Sequence, residues 1–467
     1  MIIDQHTICA IATAQGGALG IIRISGANAI DIAHKLFKPA NPKNTLINQR
    51  PYTLTFGRIY DKDEVIDEVL ASVFHAPHSY TGENSVELTC HGSTYILQKI
   101  VQLLLDNGCR LANPGEYTQR AFLNGKMDLS QAEAVADLIA SSSRASHRVA
   151  MTQMRGGFSK ELHKLQQQLL EFSSLIELEL DFSEEDVEFA DRKQLTSLAD
   201  KIEQVISQLT HSFSVGNVLK NGVPVALVGE TNAGKSTLLN QLLKEEKAIV
   251  SDIHGTTRDA IEDTTVIEGQ TFRFIDTAGI RETTDQIETL GIERTFEKMS
   301  QAEIVLWVID ATQAVEQIEQ LSHQIIPIVE NKPLLLLINK SDLSSKNELE
   351  SIQEKLNSIP FKNAQFLLIA AKEGTGINEL EQQLVKSAQL PQIAQNDVIV
   401  TNARHYEALK LALASIQRVQ QGLENQISGD FLAQDIRECI YHLSDIAGEV
   451  TTDMVLQNIF KNFCIGK

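Results

Sequence analysis

With 467 residues, 43% of them hydrophobic, the chain is long enough for about two to four domains with cores of their own. Its 41 basic residues against 61 acidic ones give a net charge of −20, which argues against nucleic-acid binding by the whole surface but leaves room for a local RNA site. No apolar run reaches about 18 residues, and the N-terminus lacks a basic segment followed by an apolar one. We therefore expect no membrane span and no signal peptide.

The cysteines indicate the compartment. Their number is odd and none forms a C-x-x-C motif, so the sequence contains no zinc signature. This usage is typical of the reducing cytoplasm, where we expect the protein to act. The five are Cys9, Cys90, Cys109, Cys439 and Cys464.

The N-terminal residues 1–125 are predicted to form a mixed α/β domain. Glycines at positions 16, 17 and 20 do not follow the G-x-G-x-x-G spacing, so a dinucleotide site is not favoured. Apolar alternation and apolar spacing near 3.6 residues predict the elements. The strands are Thr7–Thr13, Leu19–Ser25, Val65–Phe74 and Ser85–His91, and the helices are Ser93–Leu105 and Tyr117–Leu123.

Helical patterns occupy residues 126–220 and return in residues 386–467. The Ser130-x-x-Glu133 pattern predicts a capping box at the start of a helix, and an acidic run at 181–188 interrupts the pattern. The predicted helices are Lys160–Leu180, Leu195–Phe213, Arg404–Leu423 and Phe431–Tyr441. Helix, α/β domain and helix in succession indicate an α/β domain inserted into one helical bundle, with three independent domains as the alternative.

Residues 221–385 are organised around the segment Gly229–Ser236, which reads G-x-x-x-x-G-K-S. An apolar strand, Val223–Val228, precedes it and a helix follows it, as a phosphate-binding P-loop requires, so a chance glycine-rich turn is disfavoured. The glycines let backbone N–H groups surround a phosphate, and the helix N-terminus adds partial positive charge. Lys235 is expected to bridge the β- and γ-phosphates, and the Ser236 hydroxyl to hold Mg²⁺. The predicted contacts are Asn232, Ala233, Gly234, Lys235, Ser236 and Thr237.

Three further segments follow strands in the order that a GTPase needs. The first is Asp276, Thr277, Ala278 and Gly279 after the strand Thr271–Ile275. Here the Asp can reach Mg²⁺ through water, and the Gly N–H can contact the γ-phosphate.

The other two segments concern the base. Asn339, Lys340 and Asp342 follow the strand Leu334–Ile338 and resemble the guanine-specificity motif N-K-x-D of GTPases. Asp342 can accept two N–H groups of guanine, which adenine lacks, so GTP is favoured over ATP. The third segment is Ala370, Ala371 and Lys372 after the strand Gln365–Ile369. It occupies the place of the S-A-K loop with Ala instead of Ser, so the backbone N–H contact to guanine is the one we expect.

Several blocks together resemble one family, the bacterial and organellar tRNA modification GTPases (MnmE/TrmE) that act on the wobble uridine. The resemblance runs from the first strand to the last residue. The N-terminal blocks and the F-C-I-G-K end are more specific to this family than the GTPase motifs are. The blocks are Gly20–Gly26, Tyr80–Leu88, His91 with Gly92, Asn113–Leu129, Gly255–Asp259 and Phe463–Lys467.

The resemblance implies a one-carbon tetrahydrofolate in the N-terminal domain, as 5-formyl- or methylene-tetrahydrofolate. The matching positions are Arg23, Glu87, Lys126 and Lys467. A carboxylate can accept the N–H groups of a pterin edge, and cations can hold the folate's glutamate. One departure is Gln15–Ala18 in place of the family's G-R-G-G loop. Cys464 matches the family's C-terminal cysteine; a nucleophile near folate, a prenylated C-a-a-X box and an inert free thiol are the alternatives, and the final Lys fits the prenylation motif poorly.

The resemblance also implies how GTP is hydrolysed. Ile280 follows D-T-A-G where many GTPases carry a water-orienting Gln, so Glu288 is expected to orient the water; an arginine finger by Arg281 is the alternative. With Lys235 and Cys464, Glu288 completes the predicted catalytic set. A K⁺ ion is expected between the phosphates, with Mg²⁺ on Ser236 and Thr257. The implied K⁺ ligands are Asn232, Ser251, Ile253 and Thr256, with Asp252 in the same loop.

The sequence thus predicts a multidomain α/β plus all-α chain. Its parts are a folate-binding and dimerisation domain (1–125), a helical domain (126–220 and 386–467) and an inserted Ras-like GTPase domain (221–385). We expect a cytoplasmic, K⁺-activated GTPase that dimerises and works on tRNA with a flavoprotein, as a heterotetramer. The pair would add an aminomethyl or carboxymethylaminomethyl group to C5 of the wobble uridine. A ribosome-assembly switch and a signalling GTPase with an external activator are the alternatives.

Overall fold

The structure, a computed structural model, describes residues 6–181, 192–230, 232–244, 263–275, 299–388, 398–461 and 463–466. Within these ranges, no helix has both the length and the apolar character that crossing a membrane requires. The chain divides into two compact units, one of residues 1–139, 153–203 and 411–467, the other of 140–152 and 204–410. The chain is thus a mixed α/β protein with many helices. The division at residues 125, 220 and 385 stays a prediction.

A seven-stranded sheet forms the N-terminal part of the first unit. Its order is β3-β4-β5-β6-β2-β1-β7, and its neighbours are antiparallel except β1 and β7, which are parallel. The strands are β1 (Ile8–Ile11), β2 (Leu19–Ser25), β3 (Phe37–Pro39), β4 (Leu54–Asp61), β5 (Glu64–Phe74), β6 (Ser85–His91) and β7 (Arg110–Leu111). The helices are α1 (Ala29–Leu36), α2 (Thr94–Asp106) and α3 (Glu116–Leu123). The predictions for β2 and β6 are confirmed, β1 is shorter than predicted, and α1, β3, β4 and β7 were not predicted.

The two faces of this sheet have different environments. One face carries the buried core, in which side chains of β2, β5 and β6 such as Ile22, Val69 and Leu88 pack with side chains of α1 and α2. On β4 and β5 the opposite face exposes Leu54, Phe56 and Leu70. The alternation of apolar and exposed positions therefore fixes which side chains of β5 and β6 are accessible.

Four helices follow: α4 (Leu129–Ala140), α5 (Arg144–Met154), α6 (Gly157–Asp181) and α7 (Arg192–Asn221). The predicted capping box at Ser130 and Glu133 is wrong, because α4 begins one residue before Ser130. Asp128 and Gln131 form the box instead. The Gln131 N–H donates to Asp128 Oδ1 at 2.9 Å, and the Asp128 N–H donates to Gln131 Oε1 at 3.0 Å.

A six-stranded sheet forms the centre of the second unit. Its order is β13-β12-β11-β8-β10-β9, and all neighbours are parallel except β9 and β10. The elements are β8 (Val223–Val228), α8 (Lys235–Lys244), β9 (Asp263–Ile267), β10 (Gln270–Phe274), β11 (Ile304–Asp310), α9 (Ala314–Val329), β12 (Leu334–Asn339), α10 (Lys346–Asn357), β13 (Ala364–Leu368) and α11 (Ile377–Ser387). The strands β11, β12 and β13 lie on one side of β8, and β10 and β9 lie on the other. Ligands bind at such a switch point, beyond the carboxyl ends of the strands.

Three helices complete the chain: α12 (Ala403–Glu424), α13 (Gly429–Ala447) and α14 (Asp453–Lys461). In the first unit, α13 packs along α6. Gln166 of α6 donates a hydrogen bond from Nε2 to Ser444 Oγ of α13 at 3.0 Å, and both side chains are buried. Helices from both sides of the second unit in sequence therefore share one packed layer.

Candidate functional site

The loop after β8 has the backbone that its glycines allow. Gly229 has φ 145° and Gly234 has φ 96°. A Cβ on Gly229 would lie 2.3 Å from the Val308 carbonyl oxygen, and one on Gly234 would lie 2.2 Å from Asn339 Nδ2. Both positions therefore require glycine for space as well as for conformation. Thr231 lies outside the described residues.

Lys235 is the first residue of α8 and folds back over this loop. Its Nζ donates to the carbonyl oxygens of Gly229 at 2.7 Å and Glu230 at 2.6 Å. The ammonium group thus lies beside the N-terminus of α8, where backbone N–H groups and positive charge meet. Asn232, in the same loop, has φ 65°, a left-handed conformation that asparagine adopts more readily than most residues. This donor set fits the phosphates of a nucleotide.

Asn339 connects the phosphate loop to the two base loops. It ends β12 and is buried, and its Nδ2 donates to the Ala233 carbonyl oxygen at 2.8 Å. Its Oδ1 accepts from the Ala371 N–H at 3.0 Å. One amide side chain therefore fixes the phosphate loop against the loop after β13, a role that was not predicted from the sequence.

Lys340 also has a structural partner. It adopts φ 61°, and its Nζ lies 2.6 Å from Asp310 Oδ2 at the end of β11. Burial raises the pKa of Asp310, but hydrogen bonds from Lys340 and Thr312 outweigh it and hold the pKa below its ordinary value. The carboxylate is thus kept ionised as the partner of Lys340.

Asp342 is exposed in a short 3₁₀ helix, Ser341–Leu343, next to the loop that follows β13. Ser341 Oγ donates to the Ile369 carbonyl oxygen at 3.0 Å, which joins the two loops. Ala370 and Ala371 are buried, and Lys372 is exposed. The structure therefore brings the predicted base-contacting residues to one end of β12 and β13.

Many predicted site residues cannot be placed. They lie outside the described residues, and their roles stay predictions: Ser251, Asp252, Ile253, Thr256, Thr257, Asp276, Thr277, Ala278, Gly279, Ile280, Arg281, Glu288 and Lys467. Among the residues that the structure does describe, no group of three or more His, Cys, Asp or Glu could hold a metal ion. All five cysteines are free, and Cys464 alone is exposed.

A second constellation lies on the N-terminal sheet around Arg23. Arg23 of β2 faces Glu87 of β6 directly, and Arg23 Nε lies 2.9 Å from Glu87 Oε1. The guanidinium carbon lies 5.7 Å from the centre of the Tyr80 ring and 5.6 Å from that of Tyr117. The Tyr117 hydroxyl donates to the Arg23 carbonyl oxygen at 2.8 Å. Two of the predicted folate residues therefore form an ion pair whose guanidinium lies near two aromatic rings, a donor and acceptor set that fits a pterin or a carboxylate.

The C-terminal segment reaches the same constellation. Arg23 Nη1 donates to the Gly466 carbonyl oxygen at 3.4 Å, and the Gly115 N–H donates to the Cys464 carbonyl oxygen at 3.3 Å. A Cβ on Gly466 would lie 2.5 Å from the Ile11 carbonyl oxygen, so the segment approaches β1 closely. The structure thus places the backbone of Cys464 against Gly115 and that of Gly466 against Arg23.

Lys126 contacts the loop that contains Tyr80. Its Nζ donates to the Pro77 carbonyl oxygen at 2.9 Å, and the side chain is exposed. A Cβ on Gly82 would lie 3.4 Å from Lys126 Cγ. The loop of residues 77–83 therefore contacts both Lys126 and Arg23. The loop Gln15–Ala18, which differs from the family's G-R-G-G sequence, is exposed. Its Ala18 carbonyl oxygen accepts a hydrogen bond from the Gly92 N–H at 3.1 Å.

A buried charge network supports α3 and was not predicted. Arg120 Nη1 lies 3.0 Å from Glu83 Oε2, and Arg120 Nη2 lies 2.9 Å from Glu116 Oε1. Burial raises the pKa of Glu116, but hydrogen bonds from Arg110, the Asn113 N–H and Arg120 bring it below the ordinary value. Glu116 and Arg120 stand four residues apart in the block Asn113–Leu129, a spacing that could have indicated the pair.

Comparison with known proteins gives matches along the whole chain. A family described as "GTP-binding protein TrmE N-terminus" matches residues 7–126, and one described as "MnmE helical domain" matches residues 129–464. The chain is 68% identical over 464 residues to the tRNA modification GTPase MnmE of Bacteroides thetaiotaomicron, covering 99% of this chain and 100% of the relative. It is 54% identical over 473 residues to the protein of that name from Flavobacterium johnsoniae, covering 100% of each. A crystal structure of Era in complex with MgGDPNP and 16S ribosomal RNA is 27% identical, covers 41% of this chain and 66% of that chain, and has a TM-score of 0.29, which carries no inference. On the full-length relatives and the family matches, the chain belongs to the tRNA modification GTPase MnmE family.

Proposed function

We propose that the chain is a K⁺-activated GTPase that acts in tRNA modification with a flavoprotein partner. The observation that carries GTP binding is the pair of hydrogen bonds made by Asn339, to Ala233 and from Ala371. These bonds hold the phosphate loop and the base loop in one rigid arrangement, with Asp342 exposed beside it. A preorganised set of this kind binds the base and phosphates of one nucleotide together.

In this proposal each group of the nucleotide site has one task. Asp342 accepts the guanine N–H groups, Lys235 binds the β- and γ-phosphates, and Glu288 orients the attacking water. Mg²⁺ would be held by Ser236 and Thr257, and K⁺ by Asn232, Ser251, Ile253 and Thr256. When bound, these ions supply positive charge for the charge that develops on the phosphates. Hydrolysis then drives a conformational change.

The N-terminal constellation is proposed to bind a one-carbon tetrahydrofolate. Glu87 can accept N–H groups of a pterin, while Arg23, Lys126 and Lys467 can hold carboxylates. The proposal further includes a homodimer through residues 1–125, a heterotetramer with the flavoprotein, a cytoplasmic location and transfer of an aminomethyl or carboxymethylaminomethyl group to C5 of the tRNA wobble uridine. Full-length relatives named as tRNA modification GTPases support this function, and a ribosome-assembly switch is not favoured.

The test is GTP turnover in K⁺ and in Na⁺ at matched ionic strength, for the wild type, Asn232→Ala and the control Asn357→Ala. Asn357 is an exposed residue at the end of α10. We expect K⁺ to raise turnover by about tenfold or more, equivalent to about 1.4 kcal/mol in the barrier. The stimulation should vanish in Asn232→Ala and persist in Asn357→Ala. Equal rates in both salts for the wild type would remove K⁺ activation from the proposal.

The RNA part is tested separately. Purified protein, GTP, a methylene-tetrahydrofolate, an amine and the flavoprotein are incubated with unmodified tRNA, and its nucleosides are analysed by mass spectrometry. A mass increase on the wobble uridine that requires this chain supports the proposal. Unchanged uridine despite active GTP turnover would contradict the modification chemistry and leave the GTPase assignment standing.

A further inference from the structure

His91, the last residue of β6, is held by the buried carboxylate of Asp67. His91 Nδ1 lies 2.7 Å from Asp67 Oδ1, and the His91 backbone N–H donates to Asp67 Oδ2 at 2.8 Å. The side chain of Asp67 is 7% exposed, whereas that of His91 is 67% exposed. One oxygen of this buried acid therefore holds the accessible imidazole, and the other holds the backbone N–H of the same residue.

This geometry decides which ring nitrogen carries the hydrogen. An ionised carboxylate only accepts hydrogen bonds, so the hydrogen lies on Nδ1. In the neutral ring the lone pair is then on Nε2, the nitrogen away from Asp67. A histidine fixed in this way by a carboxylate is prepared to accept a proton at Nε2.

The backbone around His91 is equally constrained. Leu19 of β2 is its partner across the sheet. The next residue, Gly92, donates from its N–H to the Ala18 carbonyl oxygen at 3.1 Å, and a Cβ there would lie 2.1 Å from the Gly17 carbonyl oxygen. Glycine is required at position 92, and the close approach of the first loop fixes the end of β6.

His91 and the Arg23–Glu87 pair share one face of the sheet. Side chains alternate along a strand, so Glu87, Thr89 and His91 point to the same side, opposite to the buried Leu88 and Cys90. Glu87 and His91 are four residue steps apart along the strand, about 13 Å at roughly 3.3 Å per residue. By its strand position His91 thus ends the row that begins at the ion pair, and there its imidazole turns to Asp67, which is buried on the side of Val69.

We propose that His91 is a proton-accepting residue of the one-carbon transfer site, with Asp67 as its positioning residue. This rests on the proposed function, because an aminomethyl product requires an amine that is protonated at neutral pH. The N–H bond of the ammonium breaks, its proton bonds to His91 Nε2, and the electron pair stays on the amine nitrogen, which becomes nucleophilic. The imidazolium later returns the proton to solvent.

The first experiment compares His91→Ala with the wild type and with His147→Ala, which changes an exposed histidine of α5. The full chain is assayed for tRNA modification, for binding of 5-formyl-tetrahydrofolate and for GTP turnover. We expect modification to fall about a hundredfold in His91→Ala, since a positioned acid–base group contributes at least about that much. Folate affinity and GTP turnover should stay within about twofold, and added imidazole should partly restore modification. His147→Ala should behave as wild type.

Several outcomes would overturn the proposal. Wild-type modification by His91→Ala removes the proton-transfer role, and so does a loss of modification that imidazole does not restore. A fall in folate affinity equal to the fall in modification would make His91 a binding residue instead. Absence of modification by the wild type would be a failure of the proposed function, visible before any variant is compared.

A spectroscopic measurement tests the pair without turnover. With ¹⁵N-labelled histidine and the full chain at about pH 8, above the ordinary histidine pKa of about 6.5, the His91 ring should show a protonated Nδ1 and an unprotonated Nε2. In Asp67→Asn the two nitrogens should move toward the averaged shifts of a free ring. If the wild type already shows averaged shifts, Asp67 does not position His91.

Discussion

Asn339 donates a hydrogen bond from its buried side chain to the carbonyl oxygen of Ala233 at 2.8 Å, which ties the end of β12 to the phosphate loop after β8. The two residues are 106 positions apart in sequence. The same amide accepts from the Ala371 N–H at 3.0 Å. The first residue of the N-K-x-D motif therefore holds two loops together through its side chain. The last residue, Asp342, is exposed and can accept hydrogen bonds from the base.

Asn339→Leu should lower both stability and nucleotide affinity. The substitution leaves a buried carbonyl oxygen and a buried N–H unpaired, each at a cost of about 1–3 kcal/mol. Trp307, the chain's single tryptophan, is fully buried in β11, so its fluorescence during urea unfolding reports on this sheet. We expect a loss of about 2 kcal/mol or more in the free energy of unfolding and at least a tenfold weaker affinity for a fluorescent GDP, the factor that about 1.4 kcal/mol produces. The control is Asn357→Leu, which changes an exposed residue. Equal stability of the two variants would show that the Asn339 side chain does not hold the two loops together.

Arg120→Met should destabilise the N-terminal unit far more than Arg58→Met. The Arg120 side chain is 3% exposed and pairs with Glu83 and Glu116, so its loss removes buried charge-assisted hydrogen bonds, while Arg110 still pairs with Glu116, at about 1.5–3 kcal/mol. Arg58 and Glu68 are 52% and 50% exposed, and such a pair contributes about 0–1 kcal/mol. Urea unfolding followed by circular dichroism measures both. Similar losses for the two variants would show that the Arg120 network adds no more than a surface pair.

The pair of Asp310 and Lys340 should make the second unit sensitive to acid. Hydrogen bonds from Lys340 and Thr312 outweigh burial and lower the pKa of Asp310 below 3.8, its ordinary value. Because the folded pKa is the lower one, the folded state binds fewer protons, so the contribution of the pair is present above the ordinary value and is lost as pH falls through the folded pKa. Trp307 fluorescence during urea unfolding, from neutral pH downwards, measures the effect in a double-mutant cycle of Asp310→Asn and Lys340→Met. The coupling free energy should be favourable at neutral pH and shrink in acid; a coupling independent of pH would contradict the assignment.

Local patterns predicted several strands in both sheets well, because each carried its own signal. The strands β2, β6 and β8 have the predicted bounds, since each is a short apolar run between turn residues. The strand β4 was missed because its exposed face carries Leu54 and Phe56, and Gly57 on the inner face interrupts the apolar alternation. The capping box was predicted two positions too far along the sequence, because the Asp-x-x-Gln pattern was not recognised as the stronger signal for the start of the helix.

Such local patterns could not predict contacts between side chains that are distant in sequence. Nothing in the sequence near Asp67 indicates that it bonds His91, 24 residues later, because the partnership depends on the register of β5 and β6. The bond from Asn339 to Ala233 likewise depends on the parallel order of β12, β11 and β8. Register and strand order arise from the packing of whole sheets, so the site's supporting contacts became visible only in the structure.

Gly466→Ala should release the C-terminal segment from its place against β1. A Cβ at Gly466 would lie 2.5 Å from the Ile11 carbonyl oxygen and 3.1 Å from Ala12 Cα, both backbone atoms that cannot move aside cheaply, and φ is +97°. Gly108→Ala is the matched control, because Gly108 has φ +101° with nothing within 4 Å of its Cβ position. Both variants bear the strain of a left-handed alanine, about 1–2 kcal/mol, but only the first displaces the segment.

The Gly115 N–H, which donates to the Cys464 carbonyl oxygen at 3.3 Å, should exchange with solvent faster in Gly466→Ala than in Gly108→Ala. Folate affinity should fall in the same variant if the Arg23 contact to the Gly466 carbonyl oxygen helps to orient the guanidinium. Equal exchange rates at Gly115 in the two variants would mean that the segment is not held by this close approach.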